Sequence, residues 1–206
     1  MKHTSGNILI ISSPSGGGKT SICRRLLSPN RRKAGWQFSI SYTTRKRRPN
    51  EKNGREYFFV SEPEFKELVR KDFFAEHFQV HLYHYGTPRR PLEKVLSKGG
   101  VMVLDVDVKG ALKLKREYPQ AITVFILPPS ITQLRRRLRR RGTETKEQLK
   151  VRFENSKAEI KLYNKFEYAV INDELETAVD QVLSIVKSHG CRTERLKEEQ
   201  ITRLLV

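Results

Sequence analysis

The residues best suited to chemistry lie near the start of the chain, where Ser13-Pro14-Ser15-Gly16-Gly17-Gly18-Lys19-Thr20-Ser21 combines three consecutive glycines, a lysine and several hydroxyls. Glycines let consecutive backbone N–H groups turn inward around an anion, and a helix beginning near Gly18 would add the positive end of its dipole. A lysine directly after such a loop reaches the outer phosphates of a nucleoside triphosphate, and the hydroxyl that follows can ligate Mg²⁺. The motif departs from the general phosphate-loop pattern only at Ser13, where a glycine is usual. Three glycines could serve chain reversal alone. Here they follow an apolar run and open a helical pattern, which marks residues 13–21 as a phosphate cradle, with Thr20 as its metal ligand.

A second apolar run, Val103-Leu104-Asp105-Val106-Asp107, ends in two carboxylates. An aspartate at the carboxyl end of a strand is the expected Mg²⁺ partner of a phosphate loop. Strand alternation puts Asp105 and Asp107 on one side and Val106 on the other. The expectation assigns Asp105 to the metal through water and Asp107 to substrate; the alternative is that one of them caps the turn that follows. A phosphate acceptor arrives with an anionic oxygen already able to attack, so the obstacle is repulsion. Two unit charges about 4 Å apart repel by roughly 4 kcal/mol at an effective dielectric of 20. Several arginines must converge, and the sequence supplies Arg45 and Arg48 from one region and Arg137, Arg141 and Arg152 from another.

Each of these groups needs an element to hold it. Residues 7–13 form a short, branched apolar run ahead of the glycines, and Ile22, Cys23, Leu26 and Leu27 share one helical face after them. Residues 100–107 and 121–127 read as strands buried on both faces of a parallel sheet, with residues 168–172 as a third. Helical segments lie between and after them, with capping boxes at Ser130…Gln133 and Thr145…Gln148 and an apolar stripe through Leu175, Ala178, Val179, Val182 and Val186. Strands alternating with helices give an α/β core. Residues 38–85 break the alternation: 37–44, 56–60 and 79–83 pattern as short antiparallel strands, and Ser61-Glu62-Pro63-Glu64 opens one helix. Residues 135–157 are very polar and helical, with Gly142 between two capped segments, which suggests a lid hinged there. The expected organisation is one domain: a three-layer phosphate-loop core with a parallel sheet (1–37, 88–130 and 158–190), a mixed α+β insert (38–87), a helical lid (131–157) and a charged helical tail (191–206).

Composition narrows the function classes. The 206 residues carry 41 Lys and Arg against 23 Asp and Glu, a net charge of +18, with 37% hydrophobic residues, which describes a folded basic protein rather than a disordered chain. No apolar run approaches the roughly 18 residues of a membrane span, so a cytoplasmic address is expected. Cys23 and Cys191 are too few for a disulfide framework, and the five histidines show no ligand spacing. The basic clusters (Arg31-Arg32-Lys33, Arg45-Lys46-Arg47-Arg48 and six arginines within residues 135–141) imply polyanionic partners. Nucleotides are such partners. No nucleic-acid-binding module is recognisable, so no specific nucleic acid is expected.

The segment Ser41-Tyr42-Thr43-Thr44-Arg45-Lys46-Arg47-Arg48-Pro49, continuing to Gly54-Arg55-Glu56-Tyr57-Phe58-Phe59-Val60, resembles the signature of the guanylate kinase family. The likeness continues through Glu76, Tyr85-Gly86-Thr87, Leu104-Asp105-Val106-Asp107, Phe125-Ile126-Leu127-Pro128-Pro129, Arg141-Gly142-Thr143-Glu144 and Val170-Ile171-Asn172-Asp173, nearly the whole chain except the tail. It implies reversible transfer of the γ-phosphoryl group of ATP to GMP, giving ADP and GDP for guanine nucleotide supply, with Mg²⁺ and no covalent intermediate. Ser41, Arg45, Arg48, Tyr57 and Tyr85 would hold the GMP phosphate, and Glu76, Thr87 and Asp107 would read guanine. Lys19, Arg45, Arg137, Arg141 and Arg152 would carry the catalytic charge, and Asn172 would lie against adenine. The guanine assignment also makes chemical sense: a buried carboxylate accepts from N1–H and the exocyclic amine, a donor pair adenine lacks. Tyr42, His84 and Lys109 depart from the family pattern, and none removes a group the chemistry requires. The rival readings are a noncatalytic binding module, a nucleic-acid-binding protein and a kinase for a different monophosphate. The intact phosphate loop opposes the first, and Glu76 opposes the last.

Overall fold

The computed structural model describes residues 6–80, 82–139, 146–196 and 198–205. In chain order the elements are β1 (Asn7–Ser12), α1 (Lys19–Leu26), α2 (Pro29–Lys33), β2 (Trp36–Phe38), β3 (Tyr42–Thr43), β4 (Phe58–Phe59), α3 (Glu62–Arg70), β5 (Phe74–Val80), β6 (Tyr83–Pro88), α4 (Arg89–Ser97), β7 (Val101–Asp105), α5 (Val108–Glu117), β8 (Ile122–Leu127), α6 (Ile131–Arg139), α7 (Lys146–Ile160), β9 (Tyr168–Ile171), α8 (Leu175–Gly190) and α9 (Glu198–Thr202).

Five strands form one parallel sheet in the order β2-β7-β1-β8-β9. Its branched, apolar strands bury alternate residues on opposite faces. Leu9, Ile11, Val103 and Val124 pack with Ile22 and Leu26 of α1 and Ala178, Val179 and Val182 of α8. Ile8, Ile10, Met102, Leu104 and Phe125 pack with Leu92 of α4 and Leu114 of α5. This gives the expected three layers, each fully buried Leu, Ile or Phe contributing roughly 1.5–3 kcal/mol. The α8 stripe read from the sequence is the buried one.

The second sheet, β4-β3-β6-β5, is the insert. Its α3 begins as expected with a full capping box, Glu64 N donating to Ser61 Oγ at 3.3 Å and Ser61 N to Glu64 Oε2 at 2.7 Å. The strands differ from the sequence reading in three ways. Residues 37–44 are not one strand: β2 pairs with β7 in the core and β3 pairs with β6 in the insert, so the core sheet runs one residue past the expected boundary, to Phe38 opposite Val103. The apolar residues on either side of Ser39 serve two different cores, which periodicity cannot separate. Residues 56–60 supply β4, which pairs parallel to β3 rather than antiparallel. Gln79 and Val80 end β5 and Tyr83 begins β6, a hairpin whose pairing runs from Phe74 opposite Pro88 to Val80 opposite Tyr83.

In the lid, Gln133 N donates to Ser130 Oγ at 3.1 Å, but Gln133 Oε1 is buried without a partner, so only half of that capping box forms. The box at Thr145 and the hinge at Gly142 lie outside the described residues. Leu134, Leu138 and Phe153 give α6 and α7 a small core of their own. Among the described residues no helix is long and apolar enough to cross a membrane.

Candidate functional site

The phosphate loop leaves the carboxyl end of β1, the central strand, and runs into α1. Gly18 sits at the helix N-cap with φ 97°, a conformation that a side chain resists. A Cβ there would also fall 2.0 Å from Asn172 Nδ2. That amide donates to Gly17 O at 2.9 Å, and Arg137 donates to Asn172 O at 3.0 Å. Asn172, 5% exposed, and Arg137 therefore brace the loop from β9 and α6. Gly16, Gly18, Ser21, Arg137, Asn172, Asp173 and Leu175 line a cavity of about 330 Å³, within the size range of small-ligand pockets, roughly 300–1,000 Å³. No side chain caps α1; within the loop Gly17 N donates to Pro14 O at 2.9 Å and Ser21 N to Gly18 O at 3.1 Å.

Lys19 Nζ is 2.6 Å from Asp105 Oδ1 and donates to Val106 O at 2.8 Å. Parallel pairing sets this up, because Ile11 at the end of β1 lies opposite Asp105 on β7. Burial opposes charge on Lys19, but the Asp105 carboxylate outweighs it and raises the lysine's pKa, so the cation persists. Asp107 does not continue the strand beside Asp105. β7 ends at Asp105, and Asp107 becomes the N-cap of α5, accepting from Gly110 N at 2.8 Å. Alternation stops with the strand, and Asp107 caps the helix that follows.

The insert gathers Arg45, Glu51, Tyr57 and Tyr85. Arg45 Nη2 pairs with Glu51 Oε1 at 2.7 Å, Nη1 donates to Lys46 O at 2.8 Å, and its guanidinium lies 5.5 Å from the Tyr57 ring. Tyr57 and Tyr85 meet edge to face at 5.9 Å. Burial raises the Tyr57 pKa, with the Asp105 carboxylate acting in the same direction and Lys19 against it. Arg48 is exposed, its backbone N donating to Glu51 Oε2 at 2.8 Å. Ser41 is half-buried at the start of β3, its carbonyl accepting from Phe58 N at 2.9 Å. Glu51 was missed by sequence reasoning. Its one visible signal was a lone carboxylate just after a run of basic residues.

Glu76, on β5, is 3% exposed and sits opposite Thr87 on β6, whose hydroxyl donates to Glu76 Oε1 at 2.7 Å. Glu76 Oε2 is buried without a partner. Burial pushes the carboxyl up to about 7, against the pull of Thr87 and Lys113, while Asp107 pushes the same way as burial. The structure thus brings together Glu76, Thr87 and Asp107, and separately Lys19 with Asp105, and Arg45 with Tyr57 and Tyr85.

The lid reaches the loop from the other side. Arg137 Nη1 approaches Gly17 O at 3.4 Å, Ser156 Oγ donates to Ser15 O at 3.2 Å, and Glu159 Oε2 accepts from Ser15 N at 3.2 Å. Glu159 is a second residue that sequence reasoning missed; burial raises its pKa, with Lys19 and Arg152 opposing. Arg152 is half-buried on α7, and Arg141 lies outside the described residues.

A glycine-rich phosphate loop between the central parallel strand and α1, an inserted mixed sheet carrying the Arg45–Glu51 pair, and helices α6 and α7 against the loop mark the class: a P-loop nucleoside monophosphate kinase. The family model described as guanylate kinase matches residues 5–189. A guanylate kinase of Caldanaerobacter subterraneus is 40% identical over 193 residues, covering 94% of this chain and 92% of its own. That of Escherichia coli is 39% identical over 203 residues, covering 97% and 98%. The crystal structure of guanylate kinase from Anaplasma phagocytophilum superposes with a TM-score of 0.78 at 30% identity, covering 96% of this chain and 93% of that one. The chain belongs to the guanylate kinase family, kinases that phosphorylate GMP with ATP.

Proposed function

We propose that this chain transfers the γ-phosphoryl group of ATP to the phosphate of GMP. In this reading residues 13–21 hold the donor phosphates. Lys19, now on Asp105 and Val106 O, turns to the β and γ oxygens when ATP arrives. Ser41, Arg45, Arg48, Tyr57 and Tyr85 take the GMP phosphate, and Glu76, Thr87 and Asp107 take guanine. Asn172 keeps its hold on Gly17 at the wall of the cavity where the adenosine part would lie. Arg137, Arg141 and Arg152 neutralise the transferred group.

Thr20 and Asp105 offer a hydroxyl and a carboxylate, the oxygen donors that suit a hard cation. Mg²⁺ bound there would offset charge on the β and γ oxygens. The acceptor's own anionic oxygen attacks, so the protein's residues position, neutralise charge and exclude water.

The observation that carries the guanine assignment is the buried, unpartnered Oε2 of Glu76. Guanine N1–H and its amine satisfy both carboxylate oxygens, whereas adenine would leave the charge unpaired. ADP formation from MgATP, with GMP, AMP, CMP and UMP offered separately beside a no-acceptor control, tests it. Turnover with GMP alone is expected. Turnover with another monophosphate removes the guanine assignment, and none with any acceptor removes the kinase reading.

A further inference from the structure

Helix α5 of the core and strand β5 of the insert meet beside the candidate base pocket. At Gly110 on α5, a Cβ would come within 2.6 Å of the Phe78 ring, so the two backbones approach closely. Ala75 of β5 is buried in the same apolar cluster as Ala111 and Leu114 of α5. One turn beyond Gly110, Lys113 sends its ammonium across the junction to donate to the backbone carbonyl of His77. That carbonyl belongs to the residue after Glu76, and Lys113 favours the charged form of the Glu76 carboxyl.

We propose that Lys113 is a positioning residue for guanine recognition: its ammonium, held on the backbone carbonyl of the residue after Glu76, ties β5 to α5 and keeps a positive charge beside the base pocket, which supports GMP binding most at low pH. The proposal rests on the reading of Glu76 as the guanine acceptor. The chemistry is simple. A carboxylate offers acceptors to both guanine donors, while a protonated carboxyl points an O–H at one of them. GMP binding below the pKa of Glu76 therefore expels a proton and weakens as pH falls.

The groups around Glu76 allow few other sources of such a shift. On α5, Asp107 opposes Lys113. On β6, Thr87 donates to the carboxyl without titrating. On β5 itself, His77 lies beside the rings of Phe65 and Phe74, with its protonation disfavoured by burial and by Lys113. On α4, Arg89 is engaged with Asp72 and the Phe74 carbonyl, two residues away.

The test compares Lys113→Met, Lys113→Arg and the parent chain. KM for GMP, KM for ATP and kcat are measured from pH 5.5 to 9, and proton release on GMP binding is read by calorimetry in buffers of different ionisation enthalpy. The second ionisation of the GMP phosphate, near pH 6, is common to all three proteins and cancels in the comparison. Lys113→Met is expected to raise KM for GMP about tenfold at pH 6.5 and less than threefold at pH 8.5, with more proton release at pH 7 and an unchanged KM for ATP. Lys113→Arg restores the parent profile. A rise in KM of equal size at every pH, or unchanged proton release, would overturn the proposal and leave Lys113 a plain structural anchor. If the parent chain itself shows no turnover with GMP, the reading of Glu76 fails with it; a parent active on GMP with an unmoved Lys113→Met profile defeats the role of Lys113 alone.

Discussion

Arg45 Nη2 lies 2.7 Å from Glu51 Oε1, while the other oxygen of that carboxylate accepts from the backbone N of Arg48. One carboxylate therefore aims one arginine and fixes the loop that carries the next. Burial opposes charge on Glu51, but its bonds to Arg45 and Arg48 prevail and lower its pKa, so it remains ionised through the neutral range. Charge-assisted hydrogen bonds of this kind are worth about 1.5–3 kcal/mol each. Glu51→Ala is expected to raise KM for GMP by roughly 10- to 100-fold, with little change in KM for ATP. Steady-state kinetics with each substrate varied in turn provide the measurement, and equal losses for both substrates would count against the role.

Lys19 is 17% and Asp105 18% exposed, so water can replace the lysine when it is removed. Lys19→Ala should lower kcat by roughly 10² to 10³, the usual effect of deleting one charge stabiliser in a transition state. The melting temperature should fall by no more than about 4 °C, the equivalent of roughly 1 kcal/mol in a chain of this size. Turnover near that of the parent would remove Lys19 from the phosphate-binding role.

Glu76 binds its proton more tightly folded, at about 7, than its ordinary 4.5, chiefly through burial. The folded state thus holds more protons than the unfolded one between those values, and this group's contribution to stability falls as pH rises through that window. The full swing is on the order of 3 kcal/mol. Glu76→Gln cannot titrate. Its melting temperature relative to the parent is expected to move in the variant's favour between pH 5 and pH 8, while GMP turnover drops by 100-fold or more. Differential scanning calorimetry at three pH values would show this, and parallel curves for the two proteins would contradict the assignment.

Asn172 Nδ2 donates to Gly17 O from a buried position. Asn172→Ala leaves that carbonyl short of a partner and opens space under the loop, a loss of about 1–3 kcal/mol. Weaker ATP binding, an unchanged affinity for GMP and a melting temperature lower by several degrees are expected. Isothermal titration with each nucleotide separates the two effects.

Much of this fold was legible because its core strands are short apolar runs with turn residues at their ends. β1, β7, β8 and β9 lie where the residue patterns put them, and the glycine loop falls between strand and helix as its motif requires. The insert was harder. A two-residue strand such as β3 or β4 has no period to detect, and the segment from Trp36 to Thr43 changes sheets at Ser39 without a change in composition. The glycine loop and the basic clusters were visible as motifs. The alternation read from Asp105 to Asp107 does not hold, because the strand ends at Asp105 and Asp107 caps α5. Glu51 and Glu159 acquire meaning only through contacts that local pattern does not encode; Glu159 meets Ser15 across 144 positions of chain.

The chain enters the insert after the edge strand β2 and returns through α4, which packs on β7, the neighbour of β2. Both attachment points therefore stand on the same margin of one stiff frame. The insert can therefore change in length or shape between those two anchors without rethreading the parallel sheet, while Lys113 of α5 keeps the core fastened to β5.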